Sequence, residues 1–146
     1  MRTIYFELID NVFCSLVDRE EANGPDSISD IERVVLTIWH ASGIIGNGGF
    51  RYFFECGLPA RATATAYARI GVDQAESILR NVLNLFPNGI VPEDYDERMA
   101  IVDEIYIKHA DLLDRLEGEY YATDPVMERQ LAGWIRVHKD VFCPSS

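Results

Sequence analysis

The chain has little cysteine, little positive charge and no long apolar run, and each shortage argues against a class of protein. Its three cysteines, Cys14, Cys56 and Cys143, are odd in number and too widely spaced for a Cys-x-x-Cys pair. Neither a disulfide framework nor a cysteine metal cluster fits that spacing, and a reducing, cytoplasmic compartment is the expectation. Thirteen basic residues stand against 24 acidic ones, a formal net charge of −11. A field of that sign repels phosphates, so no direct nucleic-acid contact is expected, whereas a basic partner is attracted. No stretch approaches the ~20 apolar residues of a membrane span. Glu7 and Asp10 interrupt the first apolar run, unlike a signal peptide, so no membrane association is expected. Internal repeats, low-complexity linkers and period-2 strands are also missing from the pattern.

What is present is helical periodicity. A length of 146 residues favours a single domain over residues 1–146, able to bury roughly 68–70% of its unfolded surface. Ile4, Leu8, Val12 and Leu16 predict a first helix from Thr3 to about Asp18, broken by Asn23-Gly24-Pro25. Ser29 and Glu32 have capping-box spacing and open a second helix with Val34, Val35, Ile38 and Trp39 inward, ending near Gly43. Further helices are predicted from Ala60 to Ile70, stopped by Gly71, and from Asp73 to about Phe86. Another starts at Pro92, with a break near Lys108 to Ala110 left open, and a last one follows Asp124-Pro125. The expected fold is all-α, a compact bundle of six or seven helices.

One stretch stands apart. Ser42 to Gly57, SGIIGNGGFRYFFECG, holds five glycines and four aromatics. Gly46 and Gly48 form G-x-G, but Arg51 occupies the third glycine position of a dinucleotide fingerprint, and no P-loop lysine is present. Asn47-Gly48 suits a hairpin turn, yet the flanks do not alternate. A helix corner fits better, with Gly46 and Gly48 at positive φ and Asn47 as cap. Phe50, Phe53 and Phe54 then fall at i, i+3 and i+4, facing the core.

These residues resemble a widespread bacterial family, a domain of unknown function named after a DNA-mimic protein. The resemblance rests on Trp39, then Asn47-Gly48-Gly49-Phe50, the pair Phe53-Phe54, Ile70-Gly71 and Phe86, with Tyr120-Tyr121, His138 and Phe142 behind them. It covers about residues 28–142. It implies an all-helical, dimeric, cytoplasmic protein whose acidic surface imitates DNA and occupies a DNA-binding protein. Tyr52 and Cys56 stand where the family commonly has Gln and Asn; if those polar positions serve a ligand, this chain lacks them.

The charge is concentrated. Residues 92–128 carry a net −9, while 41–91 carry +1. On one continuous helix Glu93, Glu97, Glu104 and Asp111 would lie opposite the apolar face, flanked by Asp96, Asp103 and Asp114. Seven-residue spacing separates carboxylates by roughly 10 Å and four-residue spacing by about 6 Å. Those lengths bracket the separation of neighbouring phosphates on a DNA strand. Lys108 and Arg115 are placed to neutralise part of the row, and an acidic outer face also serves solubility alone.

No catalytic residue, metal site or cofactor is expected. His109 and His138 sit on apolar faces; Cys56 with His40 lacks a third orienting residue. The segment from Glu93 lacks the Glu-x-x-His pairs of carboxylate-bridged metal sites. The leading expectation is therefore a non-enzymatic acidic protein, a homodimer, that binds a basic protein such as a transcription factor, a nuclease or a toxin. The alternatives are an immunity protein or antitoxin against a basic toxin, and a small-ligand or enzymatic domain in which Asn47, Arg51 and Tyr52 face a pocket.

Overall fold

Helix signals dominate the chain and helices are what form. The computed structural model describes residues 4–142; Thr3 and Cys143 lie outside the described residues. The elements are α1 (Phe6–Asn23), α2 (Asp30–Glu55), α3 (Ala60–Arg69), α4 (Asp73–Leu83), α5 (Tyr95–Lys108), α6 (Ala110–Ala122), α7 (Asp124–Val137) and the single turn α8 (Lys139–Phe142). Short 3-10 turns at Pro25–Ser27 and Pro87–Gly89 fill two connections, and no strand occurs among the described residues. The fold is all-α.

The capping box at the start of α2 forms: the Glu32 N–H donates to Ser29 Oγ (3.2 Å) and the Ser29 N–H to Glu32 Oε1 (3.0 Å). Glu32 is buried and also ion-paired with Arg19 of α1. Its burial acts to raise the carboxyl pKa, but the bonds from Arg19 and Ser29 prevail and hold it below its ordinary value.

Several boundaries move from their expected places. α1 continues through Arg19, Glu20, Glu21 and Ala22, all good helix formers, and stops at Gly24 (φ 87°). α2 does not end near Gly43 but runs to Glu55 with a kink at Gly48 and Gly49. The chain after Pro92 stays non-helical until Tyr95, where the Asp94 side chain caps α5 by accepting the Glu97 N–H at 3.0 Å. His109 (φ −128°, ψ 31°) divides α5 from α6.

α2 is the spine and touches α1, α3, α5, α6 and α8, while α3 pairs with α4, α4 rests on α6, and α1 on α7. One core runs through these contacts. It includes Ile9, Val35, Ile38, Ile45, Phe50, Phe53, Tyr67, Leu79, Leu113, Tyr120 and Leu131, each at most 1% exposed. Each such side chain contributes roughly 1.5–3 kcal/mol on burial. Trp39 ties α1 to α2, its Nε1–H donating to Asp10 Oδ1 (3.1 Å) and its ring meeting Phe6 edge-on.

Candidate partner-binding face and the glycine corner

The corner is built from both ends of the chain segment that encloses it. Of the glycines in the stretch, Gly49 at the kink (φ 68°, ψ −168°) and Gly57 past the end of α2 (φ 70°) take positive φ, and Gly46 and Gly48 do not. The region of backbone space at Gly49 is essentially reserved for glycine. A Cβ on Gly49 would also stand 2.5 Å from Glu117 Oε1, and one on Gly48 would stand 2.5 Å from the Tyr52 Cβ. Asn47 is exposed. The cap on the second half of α2 comes instead from α6: Glu117 Oε1 accepts the Phe50 N–H (3.1 Å) and the Tyr106 hydroxyl (2.9 Å). Tyr106 Oη in turn accepts the Arg51 N–H (2.9 Å). Two amide groups left open by the kink are thus satisfied by a carboxylate and a phenol. Burial first, and Glu117 second, raise the Tyr106 pKa and keep it a hydrogen-bond donor.

Past the kink, Phe50, Phe53 and Phe54 are 0%, 0% and 3% exposed. Phe50 meets Tyr120 edge-on, and Phe54 packs on Phe86. The space behind Phe50 and Phe54 is ≈10 Å³, at the limit for a single water. Asn47, Arg51 and Tyr52 are exposed, and none of them lines the ≈1050 Å³ cleft beside the first half of α2. Gly71 (φ 79°) closes α3, beside Gln130, whose Nε2 donates to the Ile70 carbonyl (3.1 Å).

The seven carboxylates of the acidic segment, Glu93, Asp96, Glu97, Asp103, Glu104, Asp111 and Asp114, are all exposed. They do not share one helix. Glu93 precedes α5, four lie on α5, and Asp111 and Asp114 lie on α6 beyond the His109 break. The regular seven-residue rise therefore holds from Glu97 to Glu104 but not on to Asp111. Asp103 is paired with Arg51 of the corner at 2.6 Å; among the described residues the other six make no ion pair. Arg115 turns to Glu119 (3.9 Å), and Lys108 makes no ion pair among the described residues.

Sequence reading missed Glu117, Arg98 and Asp124. Glu117 follows Leu113 by four residues and precedes Tyr120 by three, so its inward position was legible as a helical phase. Arg98, 8% exposed, bonds three carbonyls: Phe54 O through Nε (2.7 Å), and Glu93 O (2.8 Å) and Pro92 O (3.3 Å) through Nη1. It caps the C-terminal end of α2. Asp124, half-buried at the start of α7, has its pKa pushed up to about 6 by burial and by neighbouring Glu128.

His40 and Cys56 are exposed with no hydrogen bond between them, and among the described residues no three His, Cys, Asp or Glu are grouped to hold a metal ion. His109 is half-buried at the α5–α6 break. His138, also half-buried, stacks on Trp134 (centroids 4.3 Å apart). No helix among the described residues is long and apolar enough to cross a membrane.

Neither the curated proteins nor the solved structures gave a match to this chain. A family model, described as DMP19-like protein, matches residues 26–138, a span that holds the capping box, the kinked corner, Gly71, Glu117 and all of α7. With more than half of its length matched, the chain belongs to the DMP19-like protein family.

Proposed function

We propose that this protein is a non-enzymatic binder that offers the carboxylates of α5 and α6 to a basic, DNA-binding protein in place of DNA phosphates. The observation that carries the reading is the set of six exposed acids without ion pairs on and before two consecutive helices. Membership of a family named after a DNA-mimic protein supports it. The break at His109 lets the charges follow a bent path rather than one straight row, which suits a curved phosphate backbone. A cytoplasmic location and a homodimer belong to the same reading.

Partner capture from the native host at low and high salt tests it, using the wild type and a variant with Glu97, Glu104 and Asp111 changed to Gln. Screening weakens exposed charge contacts, so capture should fall with salt and with the substitutions, and duplex DNA should displace the partner. The folding stability of the variant should stay within about 0.5 kcal/mol of wild type, as for most surface changes. Capture indifferent to salt, substitution and DNA overturns the proposal. A captured toxin without DNA affinity would replace mimicry by an immunity role for the same surface.

A further inference from the structure

One cleft of this acidic protein is lined by more bases than acids. It occupies ≈1050 Å³ between the first half of α2, α3 and the approach to α5, and neither Asn47 nor Tyr52 lines it. Arg33, Arg61, Arg69 and Arg98 line it, against two acids, Asp30 and Glu93. Its remaining walls are mostly aliphatic, alanine and proline side chains.

The present commitments of these arginines matter. Arg33 is paired with Glu20 at 2.6 Å. The other three meet no carboxylate among the described residues: Arg61 donates to the Gly89 carbonyl (2.9 Å), Arg69 lies over the Trp134 ring (5.1 Å), and Arg98 bonds carbonyls. Arg98, 8% exposed, is held by three carbonyls and by the Tyr95 ring, 5.6 Å from its guanidinium carbon, but no carboxylate among the described residues neutralises its charge. Its Nη2 meets no acceptor among the described residues, and Gly57, with no side chain, stands beside it: a Cβ there would be 3.5 Å from Nη2.

Helix geometry adds to the field. Arg61, Thr65 and Arg69 follow at four-residue intervals, so they share one face of α3, and all three line the cleft. The first turn of α3, Ala60 to Ala62, also lines it and has no side-chain cap. A ten-residue helix directs its positive end there. Guanidinium groups bind carboxylates and phosphates through paired, charge-assisted hydrogen bonds. The net charge of −11 acts against an extended polyanion. A small anion inside the cleft is within a few ångströms of the arginines, while exposed acids more than about 10 Å away are screened.

We infer that this cleft binds a small organic anion, a carboxylate or phosphate ester carried on an apolar body. The ≈1050 Å³ volume slightly exceeds the roughly 300–1,000 Å³ of small-ligand pockets, and the aliphatic floor favours an apolar body over a bare inorganic ion. Of the seven acidic-face carboxylates only Glu93 lines this cleft, and binding at the arginines does not depend on whether that face mimics DNA.

Amide NMR titration of the intact chain tests the inference with three probes: phenyl phosphate, benzoate and neutral benzyl alcohol. Phenyl phosphate or benzoate should give saturable shifts at Gly57, Arg61, Thr65 and Arg69, and the two arms separate phosphate from carboxylate recognition. Benzyl alcohol should not saturate these sites. Arg61→Gln with Arg69→Gln should weaken anion binding about tenfold or more, as expected on losing charge-assisted bonds. Thr65→Glu is the second variant. It removes no arginine, replaces a residue with a better helix former at an exposed site, and sets a carboxylate four residues from each of Arg61 and Arg69. It should abolish anion binding in a folded protein. Absence of saturable shifts with either anion at millimolar concentration, equal binding of benzyl alcohol, or binding unchanged in Thr65→Glu overturns the proposal.

Discussion

The glycine corner and the acidic face use the same residue type in opposite ways. At the corner, Glu117 is turned inward and spends its charge on the Phe50 amide and the Tyr106 hydroxyl. On the face, carboxylates such as Glu97 and Glu104 point to solvent without ion pairs among the described residues. The first carboxylate holds the fold together; the second set adds little to stability and is free to meet a partner. Position relative to the kink of α2, not acidity, separates the two. Arg51 joins them, because its amide belongs to the corner and its guanidinium neutralises Asp103 on the face.

The strongest way to break the corner is Gly49→Ala. The residue would sit at φ 68°, ψ −168°, strain on the order of 1–3 kcal/mol. It would also push the Glu117 carboxylate off its amide (2.5 Å to the added Cβ), leaving polar groups unsatisfied at a further ~1–3 kcal/mol. Roughly 2–6 kcal/mol of lost stability is expected in urea or guanidinium unfolding. Glu117→Ala alone should cost about 2 kcal/mol through the same orphaned groups. Because both changes remove one set of bonds, the double variant should lose clearly less than the sum. Strict additivity would mean that Glu117 is not what constrains Gly49.

This coupling also marks the limit of what the sequence discloses. The Ser29–Glu32 capping box and the phase of Phe50, Phe53 and Phe54 are local signals, and they are legible at three- and four-residue spacing. Which glycine takes positive φ at the kink is not, because the capping carboxylate arrives from 67 residues away. Expecting it at Gly46 and Gly48 follows from turn chemistry alone, which knows nothing of α6. Arg98 hides for a similar reason. It reads as a polar helix residue until the C-terminal end of α2 and the non-helical approach from Pro92 are folded against it. The acidic face was half legible: composition located the charge, but neither a proline nor a glycine announces the break at His109. The arginine cleft was invisible, since Arg33, Arg61, Arg69 and Arg98 lie on three different helices.

Asp124 sharpens the comparison from the other side, as an acid of the charged segment that behaves like a buried group. Its pKa is pushed up to about 6 from an ordinary 3.8, by burial first and Glu128 second. A raised carboxyl pKa favours the folded state below the ordinary value and loses that contribution as pH rises through the folded value. Stability should therefore increase as pH falls from 7 to 5, by on the order of 1 kcal/mol from this group. Relief of repulsion among the exposed acids acts in the same direction, so the measurement is a difference. Asp124→Asn should reduce the gain in unfolding free energy between pH 7 and pH 5 by that amount relative to wild type. An unaltered pH slope in Asp124→Asn would place this acid with the solvated ones. Below that range Glu32 works against the gain: its depressed pKa means that its contribution, present above the ordinary carboxyl value, is lost as pH falls through the folded one.

The smallest expected effect comes from the corner's own sequence. Gly43 and Gly46 lie in the motif beside Gly48 and Gly49, yet both are within α2, exposed, and a Cβ at either would meet nothing within 4 Å. Neither has positive φ. Glycine in a helix interior costs about 1 kcal/mol relative to alanine, and here no contact or backbone conformation offsets the cost. Gly43→Ala and Gly46→Ala should each stabilise the fold by roughly 0.5–1 kcal/mol, partly by narrowing the unfolded ensemble, with a corresponding rise in denaturation midpoint. Opposite signs for Gly46→Ala and Gly49→Ala, three residues apart, would show that the glycine-rich stretch is two things: a length of ordinary helix, and a kink fixed by Glu117. A loss of stability in Gly46→Ala would instead mean that α2 must bend well before Gly48, and that the corner begins earlier than its backbone angles indicate.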